Sequence, residues 1–252
     1  ETQTVNGGSG DDSLTAGATV TTSTTIFNGG AGSDTINTVA LVGAADGSDS
    51  GSALDGIASA TVDGGAGIDF ITLDPNTNAG QVLQDVVSTV TTSADMDVVV
   101  GFTTAIDDVD YNGALLNGAN STVVKADDTT LAAAIVEDAD ATVFYVTTNL
   151  AGTASTSLTA LANATSASDI PTLQAAFETA FVDAIGSTAI TGLDGAIGDG
   201  ESVLLAYDNG TDSVLMRFTN SDTSAANTIT AAELEIVAVF DATATLQAGD
   251  VI

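Results

Sequence analysis

Three nine-residue segments near the start of the chain combine the residue types that hard-cation chemistry needs. They are Gly7-Gly8-Ser9-Gly10-Asp11-Asp12-Ser13-Leu14-Thr15, Gly29-Gly30-Ala31-Gly32-Ser33-Asp34-Thr35-Ile36-Asn37 and Gly64-Gly65-Ala66-Gly67-Ile68-Asp69-Phe70-Ile71-Thr72. Each fits G-G-x-G-x-D-x-U-x, with U a large apolar residue. Asn6, Asn28 and Asp63 stand directly before them. The glycines allow positive φ and close backbone approach, so the turn can aim its carbonyls at one point. Asp12, Asp34 and Asp69 add charge. Carboxylates with carbonyls are the ligand set of Ca²⁺, which takes roughly 6–8 oxygens. One turn cannot fill that shell, so the turns must stack and share ions. The candidate ligand set is Asn6, Gly8, Gly10 and Asp12; Asn28, Gly30, Gly32 and Asp34; and Asp63, Gly65, Gly67 and Asp69.

Strands must carry these turns. Leu14, Ile36 and Ile71, the U residues, point inward from short strands and build a core. The segments start at Gly7, Gly29 and Gly64, at intervals of 22 and 35, so the array is not a tandem nine-residue repeat. Looser sequence, Ala18–Phe27 and Thr38–Ser59, fills the gaps. Further on, Ala94–Phe102 reads as a strand entered from an acidic turn, and Asp107-Asp108-Val109-Asp110-Tyr111 follows. Asp95, Asp97 and Asp110, with Asp107, are candidate ligands of one more cation turn, or plain turn and strand-edge residues. Gln81–Thr92 is ambiguous: its apolar spacing is helical and its β-branched content favours strand.

Composition narrows the function classes. Among 252 residues there are 28 Asp and 6 Glu against 2 Lys+Arg, a formal net charge of −32. A hydrophobic fraction of 44% excludes a disordered acidic tail. The chain has no Cys, His or Trp, which excludes thiolate nucleophiles, imidazole bases, Cys/His zinc sites and disulfides. Lys125 and Arg217 alone cannot form a phosphate-binding surface, so no nucleic-acid partner is expected. No apolar run approaches the roughly 18 residues of a membrane span. At such a charge the apo chain repels itself, and bound divalent cations would relieve that; a halophilic surface charged for solubility alone is the competing reading.

The three nonapeptides resemble the repeats of the RTX (repeats-in-toxin) family, exported by type I secretion. The resemblance is strongest over residues 1–110, and the segment around Asp107–Tyr111 is similar to the one that closes RTX rolls. It implies a mainly β fold: an N-terminal calcium-binding parallel β-roll or β-helix over 1–112, then a mixed, β-rich C-terminal cap over 113–252 with one or two helices. The irregular spacing departs from a toxin array and leaves the number of ions open.

In the second half, Asp128 can cap a helix over Thr129–Glu137, and Thr142–Thr148 reads as a strand. Ile170–Ile185 is the clearest helix, with Leu173, Ala176, Phe177, Ala180, Phe181, Ala184 and Ile185 on one face. Asp169 is its candidate N-cap and Gly186 its stop. Ser202–Tyr207 and Ser213–Thr219 flank Asp208-Asn209-Gly210-Thr211-Asp212, a hairpin signal, and Leu234–Phe240 adds a third strand. Asp222–Glu233 lies on the EF-hand pattern with its central Gly replaced by Asn227, so it reads as a degenerate loop. The terminus Leu246–Ile252 resembles the uncleaved secretion signal of type I substrates. The opening Glu1-Thr2-Gln3, without Met, reads as a processed product or the C-terminal part of a longer protein.

No HExxH, GxSxG, P-loop or Rossmann pattern is present, and scattered acids make chance carboxylate pairs common, so no enzyme is expected. The leading expectation is a structural calcium-binding protein of a secreted cell-surface array, similar to bacterial surface-layer proteins. It would fold and self-associate into a lattice or filament outside the cell, with type I secretion machinery and cell-envelope glycan as partners. The alternatives are a C-terminal calcium-dependent folding and secretion module of a larger RTX adhesin or enzyme, and a monomeric ligand-binding adhesin.

Overall fold

In the computed structural model the described residues are 2–17, 19–21, 24–39, 41–43, 59–73, 83–88, 95–104, 107–111, 125–128, 143–146, 152–185, 200–221, 229–243, 246 and 250–251. The expected helix over Thr129–Glu137 lies outside them. The fold is mostly β, with parallel and mixed sheets and, among the described residues, two α-helices. The chain divides into two compact units, Glu1–Asn112 with Gly249–Ile252, and Gly113–Ala248. A linear boundary after 112 does not anticipate that the last four residues belong with the first unit.

The first unit is built from parallel strands that recur in a fixed cycle. Strands β1 (Thr2–Ser9), β4 (Thr24–Ala31), β7 (Ser59–Ala66), β9 (Leu83–Ser88) and β11 (Asp108–Tyr111) form one sheet in that order. Strands β2 (Ser13–Thr15), β5 (Thr35–Asn37), β8 (Asp69–Thr72) and β10 (Asp97–Val100) pair successively in parallel. Strands β3 (Thr19–Thr21) and β6 (Leu41–Gly43) pair in a third, two-stranded sheet. The chain thus winds from one sheet through a turn to the next and back. The longer intervals between nonapeptides are taken up partly by β3 and β6. Ala18–Phe27 is therefore not one loose segment: Thr19–Thr21 is β3, and Thr24–Phe27 begins β4. Gln81–Thr92, ambiguous in sequence, contains strand β9.

Register stacks like on like. Leu14, Ile36, Ile71 and Val99 form one buried row. Val5, Phe27, Val62, Val86 and Val109 stand in register across the other sheet, with Phe27, Val62 and Val109 buried, and Val109 is bridged in turn by Val251. Burying a side chain of this size contributes about 1.5–3 kcal/mol, so these rows hold the windings together.

In the second unit, β12 (Lys125–Asp128), β13 (Val143–Val146) and β14 (Ser202–Asp208) run parallel. Then β14, β15 (Ser213–Thr219) and β16 (Leu234–Asp241) form an antiparallel meander. The turn after β14 is tied down. Asn209 Oδ1 accepts from the amides of Thr211 (3.0 Å) and Asp212 (2.8 Å), and Gly210 takes φ of 86°. Helix α1 (Thr153–Ala162) buries Ala154, Leu158, Leu161 and Ala162, and α2 (Ile170–Ile185) buries Phe177 and Phe181. Phe177, Phe181 and Tyr207 pack at ring separations of 5.5–6.3 Å. Helix α1 was not expected, because its five Ser/Thr compete with the helical backbone. The spacing of its four buried residues is nonetheless helical. No helix among the described residues is long and apolar enough to cross a membrane.

Candidate metal centre

Each nonapeptide turn joins a strand of the first sheet to one of the second. Parallel register places equivalent turn residues above one another. Gly8, Gly30 and Gly65 align, with φ of 114°, 111° and 95°. Gly10, Gly32 and Gly67 have φ of 102°, 134° and 126°, the left-handed range that favours glycine. A Cβ on Gly30 or Gly65 would also run into the carbonyl of Gly8 or Gly30 in the winding before. The pattern is therefore demanded by both conformation and stacking.

The aspartates form a ladder. The Asp12 N–H donates to Asp34 Oδ1 (2.8 Å), and the Asp34 N–H donates to Asp69 Oδ1 (2.7 Å). Asp97 is in register with Asp69 and extends the column by one winding. Asp34 and Asp69 are 0% exposed and Asp97 3%, so these carboxylates are withdrawn from water. Asp12 Oδ2, Asp34 Oδ2, Asp69 Oδ2 and Asp97 Oδ1 are buried with no hydrogen-bond partner. A buried carboxylate oxygen with no donor costs several kcal/mol unless a proton or cation meets it.

A Cβ on Gly7 would lie 2.5 Å from Gly29 O and 2.9 Å from Asp12 Oδ2. On Gly29 it would meet Asp34 Oδ2 and Gly64 O, and on Gly64 it would meet Asp69 Oδ2. The first glycine of each motif thus lets its aspartate pack closer to the backbone than any side chain would allow.

Electrostatics concentrate at the third and fourth windings. Burial pushes the Asp69 carboxyl up to about 6, with the charges of Asp34 and Asp63 adding to it against hydrogen bonds that pull it down. Asp97 is raised well above the ordinary carboxylate range, first by burial, then by Asp69, Asp63 and Asp95. Burial also raises Asp63. Three carboxylates repelling one another in a buried place is the condition a divalent cation relieves.

The other candidates separate from this column. Asn6, Asn28 and Asp63 form a row in the first sheet that continues through Val87 to Asp110. Val87 interrupts the oxygen donors, so Asp110 stands two strands from Asp63. Asp95 is half-buried in the bend before β10. Asp107 is a loop brace, its Oδ2 accepting from the Thr103 N–H (2.8 Å). Outside the first unit, Glu233, the last position of the degenerate EF-hand pattern, is engaged in hydrogen bonds. Both Glu233 oxygens accept hydrogen bonds, Oε1 from Ser221 Oγ (2.7 Å) and Oε2 from the Thr230 N–H (2.9 Å), as a capping box. Asp222–Thr228, the rest of that loop, is outside the described residues.

Among the described residues no group of three or more acidic side chains is arranged to hold a metal ion alone. A cation here would need backbone carbonyls as well as carboxylates. The chemistry of the column suits a hard cation on those terms: its unpartnered atoms are carboxylate oxygens, and it holds no nitrogen or sulfur ligand. The chain matches no known protein family, curated protein or solved structure.

Proposed function

We propose that this chain is a calcium-folded structural protein of a secreted cell-surface array, and that its first unit is an RTX-type parallel β-roll. The observation that carries this reading is the column of Asp12, Asp34, Asp69 and Asp97. Its buried oxygens lack hydrogen-bond partners and repeat from winding to winding. Calcium between windings would be held by these carboxylates with Asp63 and glycine carbonyls of the turns. It would supply positive charge and nothing catalytic. Without it, stacking the windings places like charges together. With it, ion binding adds to folding free energy. A protein of net charge −32 made in a calcium-poor compartment would then fold where the ion is abundant.

The test is a calcium titration of the chelated chain, following far-UV circular dichroism and light scattering together. The reading expects β signal and scattering to rise together at roughly 0.1–1 mM, the range of extracellular calcium modules. Folding without assembly points instead to the secretion and folding module of a larger protein. A chain fully folded in chelator and indifferent to calcium would end the calcium reading.

A further inference from the structure

We infer that residues 250–251 are a clasp that makes the calcium response of the first unit and the stability of the second depend on each other. This rests on the calcium reading above and adds a regulation to it. The first unit is discontinuous in sequence: Glu1–Asn112 is completed by Gly249–Ile252, and Gly113–Ala248 runs between them. The join is specific. The Val109 N–H donates to Asp250 O (2.6 Å), and Val251 bridges Val109 in parallel. Asp250 and Val251 are 0% and 2% exposed, so the pairing is a buried one.

Strand β11, which takes the clasp, rests on the calcium windings. It pairs in parallel with β9, Val109 opposite Val86, and β9 pairs with β7 in the same sheet. The windings that bring Asp34 and Asp69 together also carry β4 and β7 of that sheet. Whatever stabilises those windings therefore stabilises the surface on which Val251 sits.

The clasp closes a loop whose content is the second unit. Leu246, 3% exposed, belongs to that unit, and only Gln247, Ala248 and Gly249 separate it from Asp250. With the second unit folded, residues 250–251 leave it on a short tether. With it unfolded, the same pairing must close a long flexible chain, and the entropic cost grows with loop length. A closed clasp in turn ties down both ends of the unfolded second unit and removes part of its conformational freedom, as a cross-link does. Linkage makes the effect reciprocal. Calcium should stabilise the second unit, and damage to the second unit should weaken the calcium response of the first.

The experiment is hydrogen exchange of the full chain, read by mass spectrometry, in chelator and in calcium up to roughly 1 mM. Peptides over β4, β7 and β11 report the first unit and peptides over α2 the second. Val251→Asp and the milder Val251→Ala loosen the clasp, and Phe177→Ala weakens the second unit from its aromatic cluster. In wild type, calcium should slow exchange in α2 as well as in β4 and β7. Phe177→Ala should raise the calcium midpoint of β4 and β7 about fivefold or more. In the Val251 variants, calcium should still protect β4 and β7 while the α2 response falls, and adding Phe177→Ala should leave the midpoint where it was. Should Val251→Asp disturb the windings themselves, Val251→Ala decides. An α2 that ignores calcium in wild type while β4 and β7 respond overturns the clasp and leaves the calcium reading intact. An α2 response undiminished in the Val251 variants also overturns it, because another route then carries the coupling. If β4 and β7 ignore calcium, the calcium reading fails and the clasp is decided in chelator. Phe177→Ala should then speed exchange in β11 of the wild-type background and not of Val251→Ala, and equal effects in the two backgrounds overturn it.

Discussion

Replacing Asp69 by Asn separates a cation ligand from a structural strut, because the two roles predict opposite signs. Asp69 is fully buried, its Oδ1 holds the Asp34 amide at 2.7 Å, and its Oδ2 has no hydrogen-bond partner. An Asn keeps an oxygen for the Asp34 amide and removes the charge. In chelator the folded carboxyl titrates near 6 against an ordinary value of 3.8. A raised folded value means that protonation favours the fold. The ionised group therefore opposes folding fully above about 6, and the penalty fades as pH falls from there towards 3.8. The gap between those values corresponds to an upper bound of about 3 kcal/mol at neutral pH. Asp69→Asn should recover part of it, so the chelated variant resists urea better than wild type. In calcium the sign reverses: one ligand charge is lost, and the calcium midpoint should rise about tenfold or more. Urea unfolding by circular dichroism, in chelator and in calcium, reads both. Equal destabilisation in the two conditions would refute the argument, because Asp69 would then serve only to hold the Asp34 amide.

Three other substitutions probe the remaining links. Gly7→Ala places a methyl group 2.5 Å from Gly29 O and 2.9 Å from Asp12 Oδ2; it should cost about 1–3 kcal/mol and weaken calcium-induced folding, read by the same titration. Glu233→Gln should remove an acid-dependent part of the second unit's stability. The Ser221 and Thr230 hydrogen bonds hold the Glu233 carboxyl below its ordinary 4.5 despite burial. Its contribution is therefore full above 4.5 and lost as pH falls through the lower folded value; unfolding midpoints between pH 3 and 6 that change identically in both proteins would contradict this. Phe177→Ala empties the aromatic cluster with Phe181 and Tyr207 and should cost about 3–5 kcal/mol, visible as a lower midpoint in thermal unfolding.

Much of the site was legible one winding at a time. The turn pattern specified glycines where φ is positive, the carboxylates of Asp12, Asp34 and Asp69, and the inward row begun by Leu14, Ile36 and Ile71. Hairpin β14–β15 and helix α2 were legible for the same reason: turn chemistry and a 3.6-residue period act over a few neighbours. The fourth carboxylate was legible only as one candidate among Asp95, Asp97, Asp107 and Asp110. Asp97 lies outside any nonapeptide, and only the pairing of β10 with β8 sets it beside Asp69. Asp110 carries the same side chain, yet Val87 intervenes between it and Asp63.

What the sequence determined by itself is the chemistry of each turn: oxygen ligands, left-handed glycines, and no cationic side chain within the turns to neutralise the aspartates. The tertiary structure decided which turns share a space, that β3 and β6 make a third sheet, and that residues 250–251 close the edge at β11. The physical reason is that local rules fix backbone angles and which face a side chain takes. The partner of a strand depends on burial summed over pairings many residues apart, and intervals of 22 and 35 residues between repeat starts leave that choice open in the sequence.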